Sequence, residues 1–87
     1  MPEKLPALRA REVIRALQKA GFVKWRQKGS HLTMFRERDR RALTIPVHFS
    51  KTIPKGTFYA ILKQAGISKE DFLRFLRQPT NRKMPSH

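Results

Sequence analysis

Apolar residues recur at Ala10, Val13, Ile14, Leu17 and Ala20. Steps of three and four residues bring these positions onto one stripe of a helix, leaving Arg11, Arg15 and Lys19 elsewhere on its surface. Gly21 follows, a residue that readily takes the left-handed conformation that ends helices. The spacing predicts a helix over about 9–20.

The period then shortens to two. In Phe22-Val23-Lys24-Trp25-Arg26-Gln27-Lys28, alternation sets Val23 and Trp25 on one face and Lys24, Arg26 and Lys28 on the other. Phe22 breaks this pattern at the first position. Gly29-Ser30 is a short turn signal. His31-Leu32-Thr33-Met34-Phe35-Arg36 resumes as a strand, with Leu32 and Met34 on one face and His31, Thr33 and Phe35 on the opposite one. Glu37-Arg38-Asp39-Arg40-Arg41 forms a charged hairpin loop. In Ala42-Leu43-Thr44-Ile45-Pro46-Val47, the residues Leu43, Ile45 and Val47 point inward, and Thr44 and His48 outward. Pro46 has no N–H for a ladder and marks a strand end or an edge. Three consecutive strands with short loops make an antiparallel meander.

Pro54 and Gly56 lead into a second helix near 57–65, with Phe58, Ile61, Leu62 and Ala65 as its apolar stripe and Gly66 as its stop. Ser68 is placed to cap a third helix, with Glu70 and Asp71 in its positively polarised first turn. That helix runs to about Arg77 and buries Phe72, Leu73 and Leu76, with Phe75 as a further candidate. The expected organisation is an irregular lead-in over 1–8, one domain over 9–77 and a disordered basic tail over 78–87. The fold class is α+β: α-β-β-β-α with an appended helix, and a three-stranded sheet with helices on one face and water on the other.

Composition narrows the function. The 87 residues hold 20 Lys and Arg against 6 Asp and Glu, a net charge of +14. Such an excess repels itself and points to a polyanionic partner. The absence of cysteine removes disulfides, thiolate nucleophiles and the common zinc-ribbon patterns. No apolar run approaches the roughly 20 residues of a membrane span, and Met1-Pro2-Glu3-Lys4 lacks a signal peptide's apolar stretch. A cytoplasmic protein with a nucleic-acid partner is expected.

The wet face of the sheet gathers Lys24, Arg26, Lys28, His31, Thr33, Phe35, Thr44 and His48. Cations for phosphates, an aromatic ring for stacking and imidazoles for proton transfer suit RNA contact; the alternative is a merely solvated charged face. Glu37 and Asp39 lie in a loop without metal-ligand spacing, and Gly29 and Gly56 are isolated rather than part of a nucleotide-binding loop. Ser30 adjoins His31, but a Ser-His-acid triad lacks a clear orienting acid. Histidine remains. RNA cleavage needs a base for the 2′-hydroxyl, an acid for the leaving 5′-oxygen and cations for the added negative charge. An imidazole can fill either proton-transfer role near neutral pH. His31 is the stronger candidate, through its outward phase, the preceding turn and its basic neighbours. His48 has three readings, a second acid or base, a phosphate contact or a loop residue, and the last two together are favoured. Lys55, Gly56 and Thr57 start the second helix, where free N–H groups suit an anion.

Several blocks together resemble one family. They are Arg11-Glu12-Val13-Ile14-Arg15-Ala16-Leu17 with Ala20-Gly21-Phe22, Lys28-Gly29-Ser30-His31, Thr44-Ile45-Pro46-Val47-His48, and Pro54-Lys55-Gly56-Thr57-Phe58 with Ile61-Leu62-Lys63-Gln64-Ala65-Gly66. In order and spacing over about 9–72 the chain resembles the HicA toxins, messenger-RNA interferases of toxin–antitoxin pairs. The resemblance implies a fold like the double-stranded-RNA-binding domain, ribosome-independent cleavage of messenger RNA, growth arrest, and inhibition by a HicB-type antitoxin. Histidine acid–base chemistry of the kind set out above needs no metal ion or other cofactor, so a metal-independent endoribonuclease is expected. It places the catalytic histidine at His31. Two positions depart from the family's pattern. Leu8-Arg9-Ala10 replaces a polar cap, and Asp39-Arg40-Arg41 replaces the usual Asp-Gly hairpin.

The expected function is therefore RNA cleavage. His31 is the acid or base, Lys24, Arg26 and Lys28 hold the backbone with the Gly29-Ser30 turn, His48, Lys55 and Thr57 add phosphate contacts, and Phe35 stacks a base. The alternatives are a non-catalytic RNA-binding module and a basic protein docked on ribosomal RNA.

Overall fold

The computed structural model describes residues 7–47 and 52–78. Its elements run α1 (Ala10–Lys19), β1 (Val23–Lys28), β2 (His31–Arg36), β3 (Arg41–Pro46), α2 (Lys55–Ala65) and α3 (Lys69–Arg77). This is the α-β-β-β-α order with an appended helix. The sheet order is β1-β2-β3, antiparallel throughout. The expected tail, apart from Gln78, and His48 lie outside the described residues.

The helix stripes bury as their spacing requires. Val13 and Leu17 of α1, Ile61 and Ala65 of α2 and Phe72 of α3 are at most 1% exposed, and they meet Leu32, Met34, Leu43 and Ile45 from the sheet. Phe58 and Phe72 pack edge to face at 4.9 Å between ring centroids, a favoured aromatic geometry. Leu76 and Phe75 pack at the margin of this core.

The helix starts differ in their capping. Ser68 Oγ accepts the Asp71 N–H at 3.0 Å, as a cap should. At α1 there is no short polar side chain, and the Glu12 carboxylate instead accepts the Arg9 N–H at 2.8 Å, the reciprocal half of a capping box. The chain before α1 is also tied down. Leu8 is buried, its carbonyl accepts the Ile53 N–H at 2.7 Å, and Arg9 bridges to Thr52. The described end of the expected lead-in is thus part of the core. Helix α2 begins at Lys55, earlier than expected, because Pro54 already supplies a compatible backbone at its N-cap.

One alternation is overturned. Lys24 pairs with Met34 and Arg26 with Thr33, so Trp25 has no partner of its own in β2. This extra residue is a β-bulge, and it reverses the phase of everything before it. Val23 and Trp25 therefore lie on the outer face, 58% and 61% exposed, rather than under the helices. Lys24 shares the phase of buried Met34 and leaves the outer face. Arg26 and Lys28, after the bulge, stay outside as expected.

A buried arginine joins three elements. Arg36 ends β2 on the helix side at 7% exposure. Its guanidinium lies over the Phe22 ring, 4.5 Å from the centroid. It donates to the carbonyls of Ala20 and Ala65, at 2.9 and 3.3 Å, just beyond α1 and at the end of α2. Two further bonds, of 3.0 and 2.8 Å, grip both carboxylate oxygens of Asp39 in the β2–β3 loop. A cation at two negatively polarised helix ends is electrostatically favoured. The hydrogen bonds from Arg36 hold the Asp39 carboxyl below its usual titration range. In that same loop Arg40 takes a left-handed φ of +55°, a conformation that side chains other than glycine, Asn and Asp rarely adopt.

Candidate functional site

The outer face of the sheet is a grid set by the register. β2 contributes His31, Thr33 and Phe35 along the centre. Opposite them stand Lys28, Arg26 and Val23 from β1, and Pro46, Thr44 and Ala42 from β3. No carboxylate occupies this grid.

His31 is exposed at the first position of the central strand, opposite both Lys28 and Pro46. Directly opposed side chains in an antiparallel pair have Cβ atoms about 4.5–5.5 Å apart, so Lys28 is an immediate neighbour of the imidazole. The turn before it is tightly built. Gly29 has φ +59°, which a two-residue hairpin can require at its first loop position. The Gly29 carbonyl accepts from Gln27 Nε2 at 3.2 Å, and the Ser30 carbonyl accepts the Val47 N–H at 2.6 Å. The backbone around His31 is thereby anchored on both sides, which gives the ring a fixed origin while its face stays open to solvent.

The bulge adds an aromatic group that alternation alone had turned inward. Trp25 and the half-buried Phe35 lie with ring centroids 5.6 Å apart, tilted by 45°. The Arg26 guanidinium sits 5.6 Å from the centre of the indole, within cation–π range. Among the described residues, neither Arg26 nor Lys28 has an ion-pair partner. Three of the described acids are engaged elsewhere: Glu12 at the start of α1, Asp39 with Arg36 and Arg41, and Asp71 with Arg74; Glu37 stands in the β2–β3 loop and Glu70 in the first turn of α3.

The other expected contact residues separate from this grid. Lys24 lines a groove of about 240 Å³ between α1 and β1, with Arg11, Arg15 and Gln18 on its far wall. Lys55 borders a second cavity, of about 280 Å³, with Leu8, Thr52, Ile53, Pro54 and Phe58. Because Gln64 and Ala65 of α2 contact Arg41 and Arg36, the C-terminus of α2 lies at the far end of the sheet from His31. Its N-terminus, with Lys55 and Thr57, accordingly lies at the His31 end, but in the helix layer. His48 lies outside the described residues.

Trp25 is the residue that sequence reasoning missed, although a signal existed. Phe22 must be buried and Lys28 must face water, yet the two are an even number of residues apart. Strict alternation would put them on the same face, so an extra residue between them is required.

The sequence profile described as "HicA toxin of bacterial toxin-antitoxin" matches residues 10–67, about two thirds of the chain. The chain belongs to the HicA toxin family. The HicA match runs from α1 through α2 and includes every position of the outer grid, whereas α3 lies beyond it. No curated protein matches the chain. Membership makes this protein a toxin of a toxin–antitoxin system, and so one with an antitoxin partner. Among the described residues no helix is long and apolar enough to cross a membrane.

Proposed function

We propose that this HicA-family protein is an endoribonuclease that cleaves messenger RNA on the outer face of its sheet, with His31 transferring a proton. The observation that carries the reading is the position of His31. It is an exposed imidazole on an anchored strand, opposite Lys28 and one pair along from Arg26, on a grid of described residues that holds no acid to repel phosphate.

In this reaction a base takes the proton of the ribose 2′-hydroxyl and the freed oxygen attacks the adjacent phosphorus. The bond from phosphorus to the 5′-oxygen breaks, and an acid protonates that oxygen as it leaves. The products are a 2′,3′-cyclic phosphate and a 5′-hydroxyl. His31 supplies one of the two proton transfers. Lys28 and Arg26 stabilise the added negative charge at phosphorus, and Phe35 stacks a base. Lys55 and Thr57 contact flanking phosphates from the same end of the molecule. No step in this sequence calls for a metal ion, and DNA, which lacks the 2′-hydroxyl, is not a substrate.

Cleavage of messenger RNA in the cytoplasm arrests growth, and a HicB-type antitoxin prevents it by covering the outer face. An acidic or shape-matched surface laid over His31 and its cations is sufficient, with no change of conformation.

The test is to incubate purified protein with a defined RNA, with and without a chelator, and to map the ends. Wild type should leave 2′,3′-cyclic phosphate termini in both conditions, and His31→Ala should leave the RNA intact while still binding it. A wild type that binds and never cuts is an RNA-binding module, and 3′-hydroxyl ends would require an activated water instead of the neighbouring hydroxyl.

A further inference from the structure

The Trp25–Phe35 pair goes beyond this scheme. A large exposed aromatic beside an exposed valine is an uncommon arrangement for a small protein's surface and marks a contact site. The bulge is what exposes the indole, since without the extra residue it would face the helices. Its neighbours suit a nucleic-acid strand. Phe35 lies 5.6 Å away, Arg26 stands over the ring at 5.6 Å, and Lys28 continues the row toward His31. Phe35 and His31 are separated by four strand residues, about 13 Å at ~3.3 Å per residue.

We infer that Trp25 and Phe35 form a stacking platform for an unpaired base, which makes single-stranded RNA, rather than a duplex, the ligand of this face. Charge favours RNA as the occupant. The chain carries +14 overall, and Arg26 and Lys28, which follow the indole along β1, have no acidic partner among the described residues. Strandedness follows from geometry. In a duplex the base faces are stacked on one another, and the rings of a protein cannot reach them; in a single strand every base offers a face to an aromatic side chain. A base held on Trp25 leaves its backbone to run over Arg26 and Lys28, and a phosphodiester farther along reaches His31. The inference rests on reading the outer face as an RNA interface, but not on cleavage.

Trp25 is the only tryptophan in the chain, so intrinsic fluorescence reports the platform directly. The experiment titrates the full-length His31→Ala protein, which keeps the RNA intact, with a single-stranded RNA and with its duplex, and follows binding independently by anisotropy of labelled RNA. The expected result is quenching by the single strand and little change with the duplex. Adding Trp25→Ala should weaken single-strand binding by about 5- to 150-fold, the range for losing one stacked base, and Trp25→Phe should restore most of it. Circular dichroism checks that each variant is folded. Three results would overturn the inference: binding without quenching, equal affinity for the duplex, or a folded Trp25→Ala protein that binds as tightly as its parent. A Trp25→Ala protein that loses the antitoxin but keeps its RNA would assign the patch to a protein partner and overturn it as well. Failure to bind any RNA would sink this inference and the proposed function together. Quenching and tight binding by a wild type that never cuts would leave the platform standing and remove only the nuclease.

Discussion

The two faces of the sheet both carry arginine, and they hold it in opposite ways. On the helix side Arg36 is buried, stacked on Phe22 and bonded to two carbonyls and a carboxylate. On the outer side Arg26 is exposed and leans on an aromatic ring, with no acidic partner among the described residues. A buried guanidinium is tolerated when its donors are satisfied, and it then ties together the groups it bonds. An exposed one without a partner contributes little to folding and remains available for phosphate. One residue type thus serves architecture on one face and, under the proposed function, ligand on the other, and which role it takes depends on the company it keeps.

This contrast can be tested from both sides. The largest effect belongs to His31, where alanine should lower the cleavage rate by about 10²–10⁴-fold, the usual worth of a general acid or base. Its melting temperature should match that of wild type, because the ring supports nothing. A large loss of stability instead would move His31 into the architectural class.

Arg36→Ala is expected to do the reverse. It orphans the carbonyls of Ala20 and Ala65, which at ~1–3 kcal/mol for each unsatisfied buried group should cost about 2–6 kcal/mol. For a domain of this size that is a fall in melting temperature of about 10 °C or more, readable by thermal circular dichroism. RNA affinity below the transition should be unchanged. If Arg36→Ala melts like the parent, the guanidinium cluster is decoration.

Smaller changes should follow from Arg26→Ala and Lys28→Ala. Each should flatten the plot of log affinity against log salt by ~0.7 for single-stranded RNA, with stability within about 0.5 kcal/mol of wild type. The Lys24→Ala variant, altered on the other face, should leave affinity for the outer-face strand nearly as it was.

The smallest expected effect is acid sensitivity at Asp39. Its carboxyl titrates below the ordinary range because Arg36 bonds to it. The folded pKa is therefore below the unfolded one of about 3.9, so its contribution to stability is complete above that value. It fades as pH falls through the lower, folded pKa. A pH series of thermal melts should show Asp39→Asn less stable than wild type near neutrality, with the gap closing below about pH 4.

Much of the fold was legible in the sequence because its determinants are local. The stripes of α1 and α2 and the cap at Ser68 are read from neighbours three or four residues apart. The outward phase of His31 is equally plain, since Leu32 and Met34 leave it no other side. Where the reading went astray, the cause was a long-range count. Lys24 looked like a partner of Arg26 and Lys28 because alternation knows nothing of an unpaired residue. Trp25 looked like core because it is large and apolar. Arg36 reads only as the end of a strand, since nothing within a few residues of it announces the Ala20 and Ala65 carbonyls that it meets.

By itself the sequence determined the order of elements, the apolar faces, the excess of positive charge and the histidine after a glycine turn. These follow from spacing and composition, which act within a turn or a strand. The tertiary structure decided which face Val23, Lys24 and Trp25 occupy, how deeply Arg36 is buried, and at which end of the sheet the start of α2 lies. Those outcomes depend on pairing between strands and on the packing of helices across them. The hairpin at Gly29 fixes one end of β1 and the burial of Phe22 fixes the other, and the residue left over between them has to bulge.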